Sequence, residues 1–130
     1  MIILDTTALI DIYKNDANLA DVLRNVNENL ATTIINYQEI FFGLNPQDKK
    51  YVEELDFYER LFSNLELINL DKESVKKASF LFWELSQNGK SIGEEDCLIA
   101  GICTINGINK IITKNVRHFD NIEGLEVISY

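Results

Sequence analysis

The stretch MIILDTTALIDIY, residues 1–13, decides the fold because it joins an apolar strand directly to a helix. Met1–Leu4 is a short run rich in β-branched side chains, which predicts a buried strand, and it ends abruptly at Asp5. Apolar side chains then recur at helical spacing from Ala8 to Tyr13, so a helix should follow at once. The chain therefore begins with a strand that places a carboxylate at its carboxyl end.

The same alternation of strand and helix continues along the chain. Four further apolar segments predict strands, at Leu30–Ile35, Leu65–Leu70, Lys110–Thr113 and Leu125–Ser129. Helical spacing and capping residues predict helices at about 16–27, from Asn36 to near Gly43, after Asn45-Pro46, at about 72–88, and from about Gly93 to Asn106-Gly107. Strands that alternate with helices form parallel sheets joined by right-handed crossovers. We therefore predict an α/β fold with three layers, α/β/α, around a central parallel sheet of four to five strands.

Length and composition predict a single compact domain over residues 1–130. Hydrophobic residues make up 46% of the chain, which suits a globular core rather than a disordered segment. The net charge of −9 argues against broad non-specific binding to nucleic acid, which depends on Lys and Arg. It does not exclude a nuclease whose acids hold a metal ion, because a bound cation reverses the local charge.

The two cysteines, Cys97 and Cys103, are predicted to be free, buried thiols. On one helix they are separated by about 600° of rotation and point to different sides, which disfavours a disulfide or a shared metal. The first residues lack the basic region and cleavage site of a signal peptide, and no apolar run approaches the length of a membrane span. We expect a cytoplasmic protein with no membrane contact.

Several polar residues fall where parallel sheets bind their ligands, outside the carboxyl ends of strands near the point where strand order reverses. Asp5 closes the first predicted strand, and Asn115 follows the fourth. Glu39 lies in the short helix after the second strand. Asp96 lies in the first turn of a helix whose N-terminus can face the same edge.

Each of these acids also has a purely structural interpretation. Asp5 can cap the helix that follows it, and Glu39 can be an exposed helical residue, although its apolar neighbours argue against that. Glu94 and Glu95 are interpreted as first-turn acids favoured by the helix dipole. Asp96 differs, because an apolar run follows it directly, and a carboxylate at a buried boundary needs a partner or a metal ion.

Three polar residues near the C-terminus carry less specific patterns. Asn115 is of a type common in turns, and Asp120 follows Phe119 in a predicted loop where it can be a surface charge. His118 is the only histidine, and its apolar neighbour favours a structural role.

Carboxylates that converge on one site repel one another unless a cation lies between them, and oxygen ligands without a His or Cys set indicate Mg²⁺ or Mn²⁺.

The chain resembles PIN domains, and specifically the VapC-type toxin ribonucleases of type II toxin–antitoxin pairs. The segments that carry the resemblance span nearly the whole sequence and are IILDTTALID from Ile2, TTIINYQEIFFGL from Thr32, IGEEDCLIAGICTINGINKIITKNVRHF from Ile92, and IEGLEVISY from Ile122. The resemblance implies that residues 1–130 form one PIN domain. It also implies catalytic and metal-binding roles for Asp5, Glu39 and Asp96.

The sequence departs from the family pattern at the fourth acid. Many relatives have Asp where Asn115 stands, and others have Asn there with an acid shortly after the Phe, which is Asp120 here. Asn115 and Asp120 are therefore two candidates for completing the site. The hydroxyls of Thr6 and Thr113 are candidates for supporting the acids or binding water.

The resemblance further implies what the protein does and what it contacts. It implies endonucleolytic cleavage of RNA (tRNA, rRNA or mRNA) by a water activated by Mg²⁺ or Mn²⁺. Its implied partners are a cognate VapB-like antitoxin that covers the site and a second copy of the chain in a homodimer. Basic residues expected to hold flanking phosphates are Lys90, Lys110, Lys114 and Arg117.

Two alternatives remain open from the sequence. One is a PIN-fold nuclease that processes DNA or RNA without an antitoxin. The other is a non-catalytic α/β binding module, such as a receiver-like domain that is phosphorylated on Asp after its third strand. Asp71 is the only candidate for that role, and helix capping explains Asp71 better.

Overall fold

The computed structural model describes residues 1–130 and contains five strands and seven helices. In chain order they are β1 (Ile2–Leu4), α1 (Thr6–Tyr13), α2 (Ala17–Asn25), β2 (Leu30–Thr33), α3 (Ile34–Phe42), α4 (Tyr51–Ser63), β3 (Glu66–Ile68), α5 (Lys72–Gln87), α6 (Glu94–Ile105), β4 (Lys110–Ile112), α7 (Val116–Phe119) and β5 (Glu126–Ile128). The five strands form one parallel sheet in the order β3-β2-β1-β4-β5. The predicted three-layer α/β/α fold is confirmed.

The strand order places the point of reversal beside β1. The chain runs outward from β1 through β2 to β3, and then returns to pair β4 with the other edge of β1. Ile3 therefore pairs with Ala31 on one side and with Ile111 on the other. Such a reversal leaves a crevice beyond the carboxyl ends of the two strands, here directly after Leu4 and Ile112.

Two apolar layers cover the two faces of the sheet, because successive side chains of a strand point to opposite sides. Ile2 and Leu4 pack with Leu9 of α1 in one layer. Ile3 packs with Ile99 of α6 in the other. Fully burying one such side chain contributes about 1.5–3 kcal/mol, so the short β1 strand is anchored from both sides. The residue that follows it, Asp5, is therefore held in place by the core.

Helix α6 reaches its position by a close approach to α5. A Cβ atom added to Gly101 would lie 2.4 Å from the backbone oxygen of Ser74, so only glycine allows the two helix backbones to come this near. Both cysteines of α6, Cys97 and Cys103, are buried and free, as the sequence predicts. This packing determines where the first turn of α6, with Asp96, meets the edge of the sheet.

Two predicted helix starts are wrong. The α3 helix begins at Ile34 with Thr33 as N-cap, not Asn36, because Thr33 and Asn36 form a reciprocal capping box in which each side chain accepts a hydrogen bond from the other's backbone N–H. The predicted helix after Asn45-Pro46 begins only at Tyr51. None of the seven helices combines the length and the apolar composition that crossing a membrane requires.

Candidate functional site

A polar cavity of about 370 Å³ opens where β1 and β4 end. Four of the five residues predicted for the site line it, namely Asp5, Glu39, Asp96 and Asn115. The other residues of its lining are Thr6, Thr7, Gly93, Glu94, Glu95 and His118, so no apolar side chain contributes. The fifth predicted residue, Asp120, is exposed at the C-terminal end of α7 and lies outside this lining.

Asp5 is buried and held by side chains from two other parts of the chain. Its Oδ1 accepts a hydrogen bond from the Asn36 amide nitrogen at 3.0 Å, and its Oδ2 accepts one from the Thr113 hydroxyl at 2.6 Å. Asp5 occupies the N-cap position of α1 but its side chain makes no capping hydrogen bond. The structure therefore argues against helix capping as the reason for this carboxylate.

A short chain of hydrogen bonds connects Asp5 to Glu39. The Asn36 amide also donates to the Thr6 hydroxyl at 3.1 Å, and that hydroxyl donates to Glu39 Oε1 at 3.0 Å. The buried Asn36 thus orients two acids at once, with its own oxygen bonded to Thr33. The sequence analysis interpreted Asn36 as a helix cap only. Asn36 lies three residues before Glu39 on α3, and this spacing, which puts both on one side of the helix, could have indicated its role beside the acids.

Asp96 contacts the one histidine of the chain. Its Oδ2 lies 2.9 Å from Nδ1 of His118, which follows β4 on the short helix α7. His118 lines the cavity together with the acids. Its position therefore disagrees with the purely structural role that its apolar neighbour favoured. The apolar neighbour Phe119 is fully buried and fixes α7 against the core, which brings His118 to the cavity wall.

The acids of the cavity destabilise one another's ionised forms. Burial raises the pKa of Glu39, the hydrogen bond from Thr6 opposes that rise, and the negative charge of Asp5 adds to it. Burial also raises the pKa of Asp96, where the charge of His118 lowers it and the charge of Asp5 raises it further. Negative charge in this cavity is therefore only partly compensated by the protein.

The donor atoms fit a hard divalent cation only in part. No group of three or more His, Cys, Asp or Glu side chains is arranged to hold one metal ion. Mg²⁺, however, is commonly bound by one or two carboxylates and completes its coordination with water and substrate phosphates. An all-oxygen donor set with uncompensated negative charge, as Asp5, Glu39 and Asp96 present, suits that mode of binding.

Two of the four predicted phosphate-binding residues are engaged elsewhere. Lys114 pairs with Asp11 at 2.8 Å, and Lys110 pairs with Glu28. Both lysines therefore compensate acids of the protein itself. Arg117 and Lys90 are exposed and remain the candidates for holding flanking phosphates.

Comparisons with known proteins agree with this fold. The family model of the PIN domain matches residues 2–125. Among solved structures, VapBC2 from Rickettsia felis bound to a promoter DNA fragment is 25% identical with a TM-score of 0.85, and the match covers 100% of this chain and 99% of that chain.

Two further solved structures share the fold. DNA-bound VapBC from Salmonella typhimurium is 21% identical with a TM-score of 0.83, covering 98% of this chain and 96% of that one. Mycobacterium tuberculosis VapC20, described as a sarcin-ricin loop cleaving toxin, is 13% identical with a TM-score of 0.68, covering 97% and 99%. A search of curated proteins gives no significant match.

Proposed function

The chain belongs to the PIN domain family, and from this premise we propose that it is a metal-dependent endoribonuclease and the toxin of a type II toxin–antitoxin pair. The observation that carries the proposal is the acidic cavity, where Asp5, Glu39 and Asp96 converge beyond the ends of β1 and β4. The similar solved structures support it, since they include VapBC complexes and a toxin described as cleaving the sarcin-ricin loop.

The proposed cofactor is Mg²⁺ or Mn²⁺, held chiefly by Asp5 and Asp96 with Glu39 beside them. When bound, such an ion neutralises charge on the scissile phosphate and lowers the pKa of a water molecule. Asn115, which lines the cavity, is a better candidate than Asp120 for the fourth polar group. The hydroxyl of Thr113 orients Asp5, so it supports the site without contacting the ion.

Asp5 and Glu39 have separate tasks in the proposed hydrolysis. Asp5 is rigid, because both of its oxygens accept hydrogen bonds, and it sets the position of the reaction centre. Glu39 has one oxygen bonded to Thr6, and its raised pKa suits a group that accepts a proton from the attacking water. Arg117 and Lys90, which are exposed, are the proposed contacts to phosphates of the RNA backbone.

The proposed antitoxin presents a basic side chain to the acids and an apolar segment beside it. A second cavity of about 230 Å³ adjoins the acidic one, and Glu39 lines both. Ile10, Tyr13, Leu44 and Tyr58 supply its apolar wall. Positive charge next to apolar residues in the antitoxin would therefore complement both cavities at once.

The proposed second copy of the chain docks on the outer face of α5. Phe80 and Trp83 are 60% and 62% exposed there, which is unusual for such large apolar side chains. A two-fold axis perpendicular to α5 near Phe80 would run the helix antiparallel to its copy and set Lys76 of one copy, which pairs with Glu73 of its own helix at 3.5 Å, opposite Glu84 of the other. Charge complementarity about one axis favours a second copy over other occupants of this face.

Sedimentation velocity tests the dimer through a charge exchange. Wild-type protein is expected to be dimeric, F80D to be monomeric, and K76E and E84K each to weaken the dimer. The double variant K76E/E84K should recover it, because the opposite charges face each other again. A monomeric wild type, or a double variant weaker than both single ones, would contradict this arrangement.

The proposed activity is tested with purified protein, Mn²⁺ and a mixture of tRNA, rRNA and mRNA, with cut sites mapped by sequencing. We expect specific cleavage that EDTA stops and that added Mn²⁺ or Mg²⁺ restores. Cleavage that survives complete chelation would refute the metal mechanism. Cleavage of DNA but not RNA would refute the proposed substrate.

A further inference from the structure

We propose that His118 is a positioning residue for Asp96, which it orients through a hydrogen bond from Nδ1–H to the carboxylate. The two atoms lie 2.9 Å apart, with the Asp96 side chain 20% exposed and the His118 side chain 48% exposed. Oδ2 accepts this hydrogen bond, and Oδ1 keeps both of its lone pairs for a cation. The inference rests on the proposed metal-dependent function and names a residue that maintains its metal site.

The other two acids proposed for the metal site support this assignment. Asp5 is oriented by Asn36 and Thr113, and Glu39 is oriented by Thr6. In each case a side chain from a different element donates a hydrogen bond and leaves the carboxylate in one orientation. His118 of α7 completes the pattern for Asp96 of α6, since it supplies the donor from another element.

The placement of α7 shows how His118 is held. Phe119 is fully buried among Ile99 and Ile111 of the core, and the His118 backbone N–H bonds to the Asn115 oxygen at 3.0 Å. The imidazole therefore extends from a fixed backbone toward the start of α6. Hydrogen-bond partners of metal-binding carboxylates typically affect metal affinity by about 10–100-fold when removed.

Three substitutions separate the hydrogen bond from the imidazole itself. H118N keeps an N–H donor one bond beyond Cγ, where the histidine has Nδ1. H118L keeps comparable apolar bulk without a donor, and H118A removes both. The readout is the dissociation constant for Mn²⁺ measured by titration calorimetry on RNA-free protein, with metal-free melting temperatures as a check of the fold.

We expect H118L and H118A to bind Mn²⁺ about 10–100-fold more weakly than wild type and H118N to stay within about threefold. Equal affinity in wild type, H118L and H118A would overturn the inference. Weak binding by H118N would also overturn it, because the imidazole would then act as a ligand in its own right.

The same measurements distinguish failure of this inference from failure of the proposed function. If the affinities follow the expected order but RNA is not cut, the ribonuclease proposal fails and the role of His118 stands. If chelation-sensitive cleavage occurs while all variants bind Mn²⁺ alike, only the role of His118 fails. A wild type that binds no Mn²⁺ would overturn both.

Discussion

Asp5, Glu39 and Asp96 of the cavity form one group of acids and Asp11 on α1 forms another, and the two groups differ in how their charge is compensated. In the cavity, Glu39 and Asp96 have pKa values raised chiefly by burial and further by the charge of Asp5. Asp11 on α1 is buried, with 7% of its surface exposed, but it accepts a hydrogen bond from the Tyr130 hydroxyl at 2.7 Å and pairs with Lys114 at 2.8 Å. Burial opposes ionisation there too, yet the two partners outweigh it and lower the pKa of Asp11.

The difference teaches that burial alone does not mark a functional acid. Lys114 already neutralises the carboxylate of Asp11, so an added cation would find no uncompensated charge there. Asp5, Glu39 and Asp96 have hydrogen-bond donors that orient them but only the exposed imidazole of His118 as an ionisable partner. Oriented carboxylates with a deficit of positive charge are what a divalent ion or a basic antitoxin side chain would complete.

The largest effect is expected on RNA cleavage when acids of the cavity are substituted. D5N and D96N each replace a carboxylate by a neutral amide of nearly the same volume, and we expect RNA cleavage to fall by at least about 100-fold. The matched control D11N alters an acid that is about as buried as Asp5, at 7% exposed against 4%, and its cleavage rate should stay within about threefold of wild type. Unchanged cleavage in both D5N and D96N would refute the assignment of the site.

The next largest effect is expected on stability when Asp11 is substituted. We expect D11N to lower the free energy of unfolding by about 1–2 kcal/mol, because Lys114 loses the nearer of its two carboxylate partners and keeps only Asp16 at 4.0 Å, while Tyr130 keeps an acceptor. Urea unfolding measures this change. The control D21N removes the acid of the exposed Arg24 pair and should cost less than about 0.5 kcal/mol. Equal losses in D11N and D21N would show that burial of Asp11 adds nothing.

The pH dependence of stability sharpens the comparison, because the two groups predict opposite slopes. The folded-state pKa of Glu39 lies above its usual value of 4.5, so wild type should lose stability relative to E39Q as pH rises from that value through the raised pKa. The folded-state pKa of Asp11 lies below its usual 3.8, so the advantage of wild type over D11N should be present above pH 3.8 and disappear as pH falls through the lowered pKa.

Urea unfolding of wild type, E39Q and D11N in EDTA, from about pH 3 to about pH 8, measures both difference curves. Difference curves with the same sign of slope would contradict the contrast between compensated and uncompensated acids.

The smallest effect is expected at Asp120, which belongs to neither group. It is exposed and lies outside the cavity lining, so D120N should change cleavage and Mn²⁺ affinity by less than about twofold. Cleavage assays and calorimetry on D120N, run beside N115A, measure the difference between the two candidates for the fourth polar group. A loss in D120N as large as that in D96N would restore Asp120 to the site.

Sequence patterns predicted much of the candidate site because strand ends are local features. An apolar run that stops at Asp5 predicts both a strand and a carboxylate beyond it, and the parallel arrangement predicts which edge that carboxylate occupies. Glu39 and Asp96 followed from their places in helices after strands or before apolar runs. The cavity lining contains all three.

Sequence patterns could not predict the contacts of the residues that hold these acids, since those contacts join positions far apart along the chain. Thr113 contacts Asp5 across 108 positions, and Tyr130 contacts Asp11 across 119. Consecutive residues Thr113 and Lys114 thus contact different carboxylates, which no periodicity encodes. The same holds for His118, whose apolar neighbour suggested burial while the packing of α7 brought it to Asp96.

By itself the sequence determined the α/β alternation, the parallel sheet and the presence of acids at its carboxyl edge, because hydrophobic periodicity and strand ends are set by neighbouring residues. Tertiary structure alone decided which carboxylates receive a cation from the protein and which do not. That division depends on distances of about 3 Å between residues from separate elements, and only the packing of α3, α6 and α7 around β1 and β4 establishes such distances.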